Sequence, residues 1–202
     1  MKLAKCVLKG ESPYSQSRYY SHSVPKKAKE LPADYEERTW RERCHYDKKS
    51  GEIFIPVKQL TAAIQEAAKY LSLQIPGKGK STYTKHFKAG IGIWDTTPEG
   101  NNGYLIGALK DEVESENCFV SPQGQNRRVM KTFPVIQNWQ ITIKVLILDD
   151  IITSDIFEQV LRTAGTLIGI GRYRPINGGL YGRFSVKSIE WEEKEGTYVT
   201  SN

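Results

Sequence analysis

Residues 169–184 read GIGRYRPINGGLYGRF, with five glycines, three arginines and two tyrosines in sixteen positions and no acid. Glycine lacks a Cβ, so a ligand or another chain can approach its N–H group, and successive exposed N–H groups form an anion-binding concavity. Arg172, Arg174 and Arg183 add planar forks that match phosphate oxygens in pairs. Tyr173 and Tyr181 offer ring faces on which bases stack. With Gly178 and Gly179 as bare backbone between them, these are the parts needed to hold a single-stranded nucleic acid. The plain alternative is a glycine-rich turn whose arginines are solvated or paired with Glu192 and Glu193. A dinucleotide-binding fingerprint is excluded, because the glycine it needs at 174 is Arg174 and the stretch follows a helical pattern.

Other residues could do chemistry only with partners the sequence does not supply. His22 lies in YYSHS, His45 follows Cys44 in RERCHYD, and His86 sits among lysines in TKHFK. A histidine acting as general acid or base needs a group to orient or protonate it, and Tyr20 and Lys85 are the nearest in sequence. Cys44-His45 has no second pair at zinc spacing. GKGKST at 77–82 resembles the end of a phosphate-binding loop, but Gln74 occupies the position of its first glycine. Asp149 and Asp150 close a strand before a helix cap and are expected to serve a turn. No catalytic residue, metal site or cofactor is expected.

The basic residues are grouped. Between Glu66 and Asp95 stand Lys69, Lys78, Lys80, Lys85 and Lys88. Between Glu116 and Asp149 stand Arg127, Arg128, Lys131 and Lys144, and between Glu158 and Glu190 stand Arg162, Arg172, Arg174, Arg183 and Lys187, all without an intervening acid. If the three windows share one surface, each phosphate bound there releases counterions and binding weakens with salt.

The elements that must position these groups are partly readable. KLAKCVL (2–8) and GEIFIP (51–56) read as strands. In VKQLTAAIQEAAKYLSL, Leu60, Ala63, Ile64, Ala67, Ala68 and Leu71 fall on one helical face. Strands are expected at 91–95, 103–109 and in WQITIKVLI, where apolar residues alternate. TSDIFEQVLRTAG reads as a capped helix ending at Gly165, and FSVKSIEWEE as a last strand. KDEVESEN (110–117) reads as an acidic surface stretch. Residues 11–50, polar and broken by Pro13, Pro25 and Pro32, read as an insertion rather than core. The region 74–126 reads as loops and hairpins. The order predicts one α+β domain over 1–202, ferredoxin-like (RRM-like), with two main helices against an antiparallel sheet.

The chain has 202 residues, a formal charge of +6, 39% hydrophobic and 26% charged residues, which is globular composition. Three cysteines, far apart, argue for a reducing compartment. No stretch is apolar enough for a signal peptide or membrane span. A cytoplasmic protein without membrane association is expected.

At this point the residues resemble a family. The glycine-rich stretch after a helix and before a strand looks like the G-rich loop of the RAMP superfamily, the ferredoxin-like proteins of CRISPR effector complexes. GEIFIPVKQLTAAIQEAAKYL is similar to the strand–IP–helix start of their backbone subunits, which usually reads IPGSSLKGALR. Ile55 and Pro56 match, and Leu60, Ala63 and Ile64 fall in the helix positions, while Val57, Lys58 and Gln59 replace the GSS turn. The resemblance spans most of 50–186 and extends to compact relatives encoded by phages or prophages. It implies non-enzymatic binding of single-stranded RNA or DNA, with head-to-tail assembly or CRISPR-type subunits as partners. Arg18, Tyr19 and Tyr20 of the 11–50 region would touch nucleic acid or a neighbour. The groove is expected to use Arg172, Tyr173, Arg174, Gly178, Gly179 and Arg183, extended by Lys58, Arg127, Arg128 and Lys131. Two alternatives stay open: a metal-independent endoribonuclease of the same superfamily, and a phage protein that mimics or caps a CRISPR subunit.

Overall fold

The structure, a computed structural model, describes residues 1–20, 24–94, 103–121 and 128–193. They form β1 (Lys2–Gly10), β2 (Tyr14–Ser15), α1 (Pro32–Thr39), β3 (Glu52–Pro56), α2 (Val57–Leu71), α3 (Thr84–Ala89), β4 (Ile91–Trp94), β5 (Gly103–Leu109), β6 (Glu114–Val120), β7 (Val129–Ile136), β8 (Gln140–Ile147), α4 (Ser154–Thr163) and β9 (Phe184–Glu193). The architecture is α+β with antiparallel sheets and few helices. The main sheet has four strands in the order β4-β8-β1-β9, each antiparallel to its neighbour. α2 lies between β1 and β4 in the chain and α4 between β8 and β9, so the sheet is built by two β–α–β crossovers. Smaller sheets, β2-β7-β6 and β3-β5, come from the segments inserted between those elements.

The core follows the two periodicities. α2 buries Leu60, Ala63, Ile64, Ala67 and Ala68, the helical stripe expected from their spacing. β8 buries Ile141, Ile143, Val145 and Ile147 and turns Gln140 and Thr142 outward. β1 contributes Ala4, Cys6 and Leu8 to the same cluster, and α4 contributes Phe157, Val160 and Leu161. Each buried aliphatic side chain of this kind stabilises the fold by roughly 1.5–3 kcal/mol.

Three expectations change. Residues 11–50 are not a polar insertion outside the core: Tyr14 and Cys44 belong to the main cluster, β2 pairs with β7, and α1 packs beside β7. The acidic stretch 110–117 runs into β6, whose exposed faces leave no hydropathy signal. The fourth helix does not stop at Gly165. A π-helical turn, Ala164–Ile168, carries it on until Gly169, with φ of 72°, whose N–H donates to the Ala164 carbonyl at 2.8 Å. Gly165 serves packing instead, because a Cβ there would collide with the Phe184 carbonyl. Among the described residues no helix is long and apolar enough to cross a membrane.

Candidate nucleic-acid interface

The glycines of 169–184 are mostly turned on the chain itself. A Cβ at Gly171 would meet the Ser15 carbonyl and the Tyr14 ring, one at Gly179 the Tyr173 carbonyl, and one at Gly182 the Ile170 carbonyl. Their amides are used internally as well. Ile170 N–H donates to Gly182 (3.0 Å), Arg172 to Ser15 (2.9 Å), Gly179 to Arg174 (3.1 Å), Tyr181 to Tyr173 (2.9 Å) and Gly182 to Pro13 (2.7 Å). Gly178 also donates its N–H internally, to the Pro175 carbonyl at 2.8 Å, but its φ is +76° and a Cβ there would meet nothing within 4 Å. The stretch is therefore a knot of tightly apposed backbone rather than an open row of donors. Its rigidity holds the side chains that leave it.

The knot is fixed to the start of α2 through one residue. Tyr14, wholly buried, lies under Gly171; its hydroxyl donates to Gln59 Oε1 at 2.7 Å and accepts from Gln16 Nε2 at 3.0 Å. Burial raises its pKa, so the phenol stays neutral and can donate. Tyr14 thus joins the two segments on which the family resemblance rests. Sequence reasoning missed it because a tyrosine among serines next to Pro13 carries no periodic signal.

The arginines divide. The Arg172 side chain is 17% exposed; Nη1 lies 3.3 Å from Glu116 Oε2 and Nη2 lies 3.0 Å from Cys118 Sγ. Its guanidinium carbon stands 3.8 Å from the centroid of the Phe133 ring. The partner is thus on β6, not Glu192 or Glu193. Burial would raise Glu116, but Cys118, the Tyr181 hydroxyl and Arg172 together hold its pKa below the usual carboxylate range. Arg183 turns Nε to the Thr166 carbonyl at 3.2 Å. Arg174 caps the 3-10 turn Pro175–Asn177 and, among the described residues, has no ion-pair partner. Tyr173 is half exposed at a φ of 54° and meets Tyr181 edge to face at 5.6 Å.

Of the flanking cations, Lys58 is exposed in the first turn of α2, where there is no acid. Arg128 is exposed just before β7, and Arg127 lies outside the described residues. Lys131 is paired, its Nζ 2.9 Å from Glu36 Oε2. Glu36, 6% exposed, also receives Arg43 Nη2 at 2.7 Å and the Thr132 N–H at 2.9 Å, and Arg43 Nε donates to the Thr132 carbonyl at 2.9 Å. Two side chains thereby take the place of a strand along this edge of β7.

The other chemistry candidates resolve differently. His86 Nδ1 is 2.6 Å from Asp149 Oδ2, a partner sequence proximity did not indicate. Asp149 also accepts the Ile151 N–H at 3.0 Å, so the turn role expected for it coexists with the pair. Its pKa is lowered, chiefly by the His86 hydrogen bond. Cys44 and Cys6 are buried thiols pushed up to about 12, chiefly by burial, and are poor nucleophiles. His22 lies outside the described residues. Among the described residues no group of three or more histidine, cysteine or acidic side chains could hold a metal ion.

Protein-family models give no match to this sequence, and neither do curated proteins. Among solved structures, the arrangement is similar to that in the crystal structure of Cmr6 from Pyrococcus furiosus. That likeness covers 92% of this chain and 98% of the other, at 12% identity and a TM-score of 0.44. A likeness this distant assigns no role to any residue of the site, and none of these comparisons supports a phage source.

Proposed function

We propose that this is a ferredoxin-like, RAMP-like domain that binds single-stranded nucleic acid without cleaving it. The observation that carries the reading is the junction at Tyr14. It ties the glycine–arginine stretch to the acid-free start of α2, segments far apart in sequence, and cations without carboxylate partners among the described residues leave both of them. Arg174 and Lys58 are the phosphate contacts, Tyr173 is the half-exposed ring for a base, and Gly178 is the position where the missing side chain leaves room for a strand to approach. Arg128 extends the surface from the β6–β7 side. Arg172, Lys131 and Arg183 act chiefly by holding that surface in place, since each is already engaged. RNA in a CRISPR-type assembly, with copies of the chain or related subunits alongside, is the biological setting the resemblance favours.

The test is a fluorescence-anisotropy titration with single-stranded RNA, single-stranded DNA and duplex at two salt concentrations, with the probes recovered on a gel. Salt-sensitive binding to intact single strands is expected. Absence of binding to every probe would overturn the reading and favour a protein-interaction role. One observation favours a second reading, metal-independent RNA cleavage: the short His86–Asp149 hydrogen bond, which fixes an imidazole as a general base requires. Products that vanish with His86→Gln and persist in chelator would establish it.

A further inference from the structure

A cavity lies on the segment that leads into β3. It has a volume of about 310 Å3 and is lined by Arg18, His45, Tyr46, Phe54 and the turn at 47–49. That is the lower end of the range for small-molecule clefts, roughly 300–1,000 Å3. Its walls are held firmly. The Gln16 side chain is wholly buried; its Nε2 donates to the Phe54 carbonyl at 2.8 Å and its Oε1 accepts the His45 N–H at 2.6 Å. The Arg18 N–H donates to the Arg43 carbonyl at 2.9 Å.

The wall chemistry is specific. The His45 and Phe54 rings meet at 5.7 Å, and the Tyr46 ring carries two cations, Lys110 Nζ at 4.1 Å and the Arg18 guanidinium at 5.7 Å from its centroid. Among the described residues no carboxylate is within ion-pair distance of Arg18. The two nearby acids are otherwise engaged. Asp47, 4% exposed, accepts the Lys49 and Ser50 N–H groups and the Ser50 hydroxyl at 3.1, 2.8 and 2.9 Å. Glu42 accepts the Tyr46 hydroxyl at 3.0 Å and is ion-paired to Lys110. Burial first, and then the Arg18 charge, hold the His45 pKa down to about 4. At neutral pH the imidazole is therefore uncharged, with one donor and one acceptor nitrogen. Lys48 and Lys49 are exposed at the rim.

Ring faces, a neutral imidazole and a guanidinium without a carboxylate partner form a recognition set for a planar heterocycle that carries an anion. We propose that this pocket holds one nucleotide, its base against the Tyr46–His45–Phe54 wall and its phosphate on Arg18. It rests on the nucleic-acid reading above for the ligand class and adds a place where a single residue of the strand, or a free mononucleotide, is gripped.

The probe is adenosine 5′-monophosphate, followed by NMR of the His45 ring, with its signals assigned through His22→Gln and His86→Gln. Millimolar nucleotide should shift those signals and raise the His45 pKa, because the phosphate offsets the Arg18 charge. Adenosine and inorganic phosphate should each bind roughly tenfold or more weakly, and Arg18→Gln should lose a similar factor for the nucleotide. A silent His45, an unaffected Arg18→Gln, or phosphate as effective as the nucleotide would overturn the proposal. The comparison of the three ligands uses the unaltered protein, so it stands even if a variant misfolds. A strand that binds while His45 stays silent sinks the pocket and leaves the interface; a nucleotide response without strand binding does the reverse.

Discussion

Arg172 and Arg174 stand two residues apart, yet their substitution should separate stability from binding. In Arg172→Gln the protein loses a guanidinium 3.8 Å from the Phe133 ring and an ion pair of 3.3 Å to Glu116. A partly desolvated cation–π contact contributes about 1–2 kcal/mol. The ion pair, with a Glu116 side chain 35% exposed, adds about 0.5 kcal/mol. The loss is then about 2 kcal/mol, which for a chain of this size lowers Tm by roughly 6 °C. Arg174→Gln breaks no ion pair among the described residues and should leave Tm unchanged. Its effect should appear in binding, where one phosphate contact fewer flattens the slope of log K against log salt by about 0.7 for a single strand. Thermal unfolding and salt-dependent anisotropy on the two variants give four numbers. If Arg172→Gln keeps its Tm and loses the slope, the division between holding and contacting arginines is wrong. If neither variant changes the slope of a wild type that does bind, phosphates lie elsewhere on the molecule.

Other expectations concern the frame of the site. Burial would raise Glu36, but the Thr132 N–H, Lys131 and Arg43 hold its pKa below the ordinary value. A depressed folded pKa gives stability that is present above the unfolded value, about 4.3, and is lost as pH falls through the folded one. Tm of the wild type should therefore drop on acidification from pH 5 to about 3, and Glu36→Gln, already less stable at pH 7, should lack that part of the drop. Gly182→Ala puts a methyl group into the Ile170 carbonyl and should cost more than about 3 kcal/mol by denaturant titration, whereas Gly178→Ala, at a similar φ of +76° in open space, should cost about 1 kcal/mol. Tyr14→Phe removes the bonds to Gln59 and Gln16 and should cost about 1–2 kcal/mol, with strand affinity falling if the junction at Tyr14 sets the interface.

The parts of the fold that could be read in the sequence are those stabilised by apolar burial at regular spacing. α2 and β8 declare themselves because water exclusion selects every third or fourth residue in one and every second in the other. The parts that could not be read are stabilised by polar groups. α1 is anchored by Glu36, a carboxylate that looks like surface in the sequence and is buried because three donors meet it. β6 has no alternating apolar pattern, and its pairing with β7 is accompanied by the Arg172 contacts to Glu116 and Cys118. Gly165 was misread for a related reason. A glycine near a helix end signals a cap only when its freedom is used for φ, and here its missing side chain is used for contact.

The same distinction governs the interface. Sequence windows without acids predict a basic surface only if no distant acid folds back onto them. Three ion pairs do so: Glu116 reaches Arg172, Glu36 reaches Lys131 and Glu11 reaches Lys187, while Glu158, at the border of its window, pairs with Arg162 one helical turn away. Each acid lies at or beyond the border of its window, so counting within the window could not see it. What survives is the set of cations with no carboxylate brought to them among the described residues, Lys58, Arg128 and Arg174 being three of these. The field available to a polyanion follows that smaller set. The glycines obey a parallel rule. Most of them are spent on bringing backbone against backbone, and it is the compactness thus obtained that lets a residue such as Tyr173 hold a strained φ of 54° with its side chain half exposed.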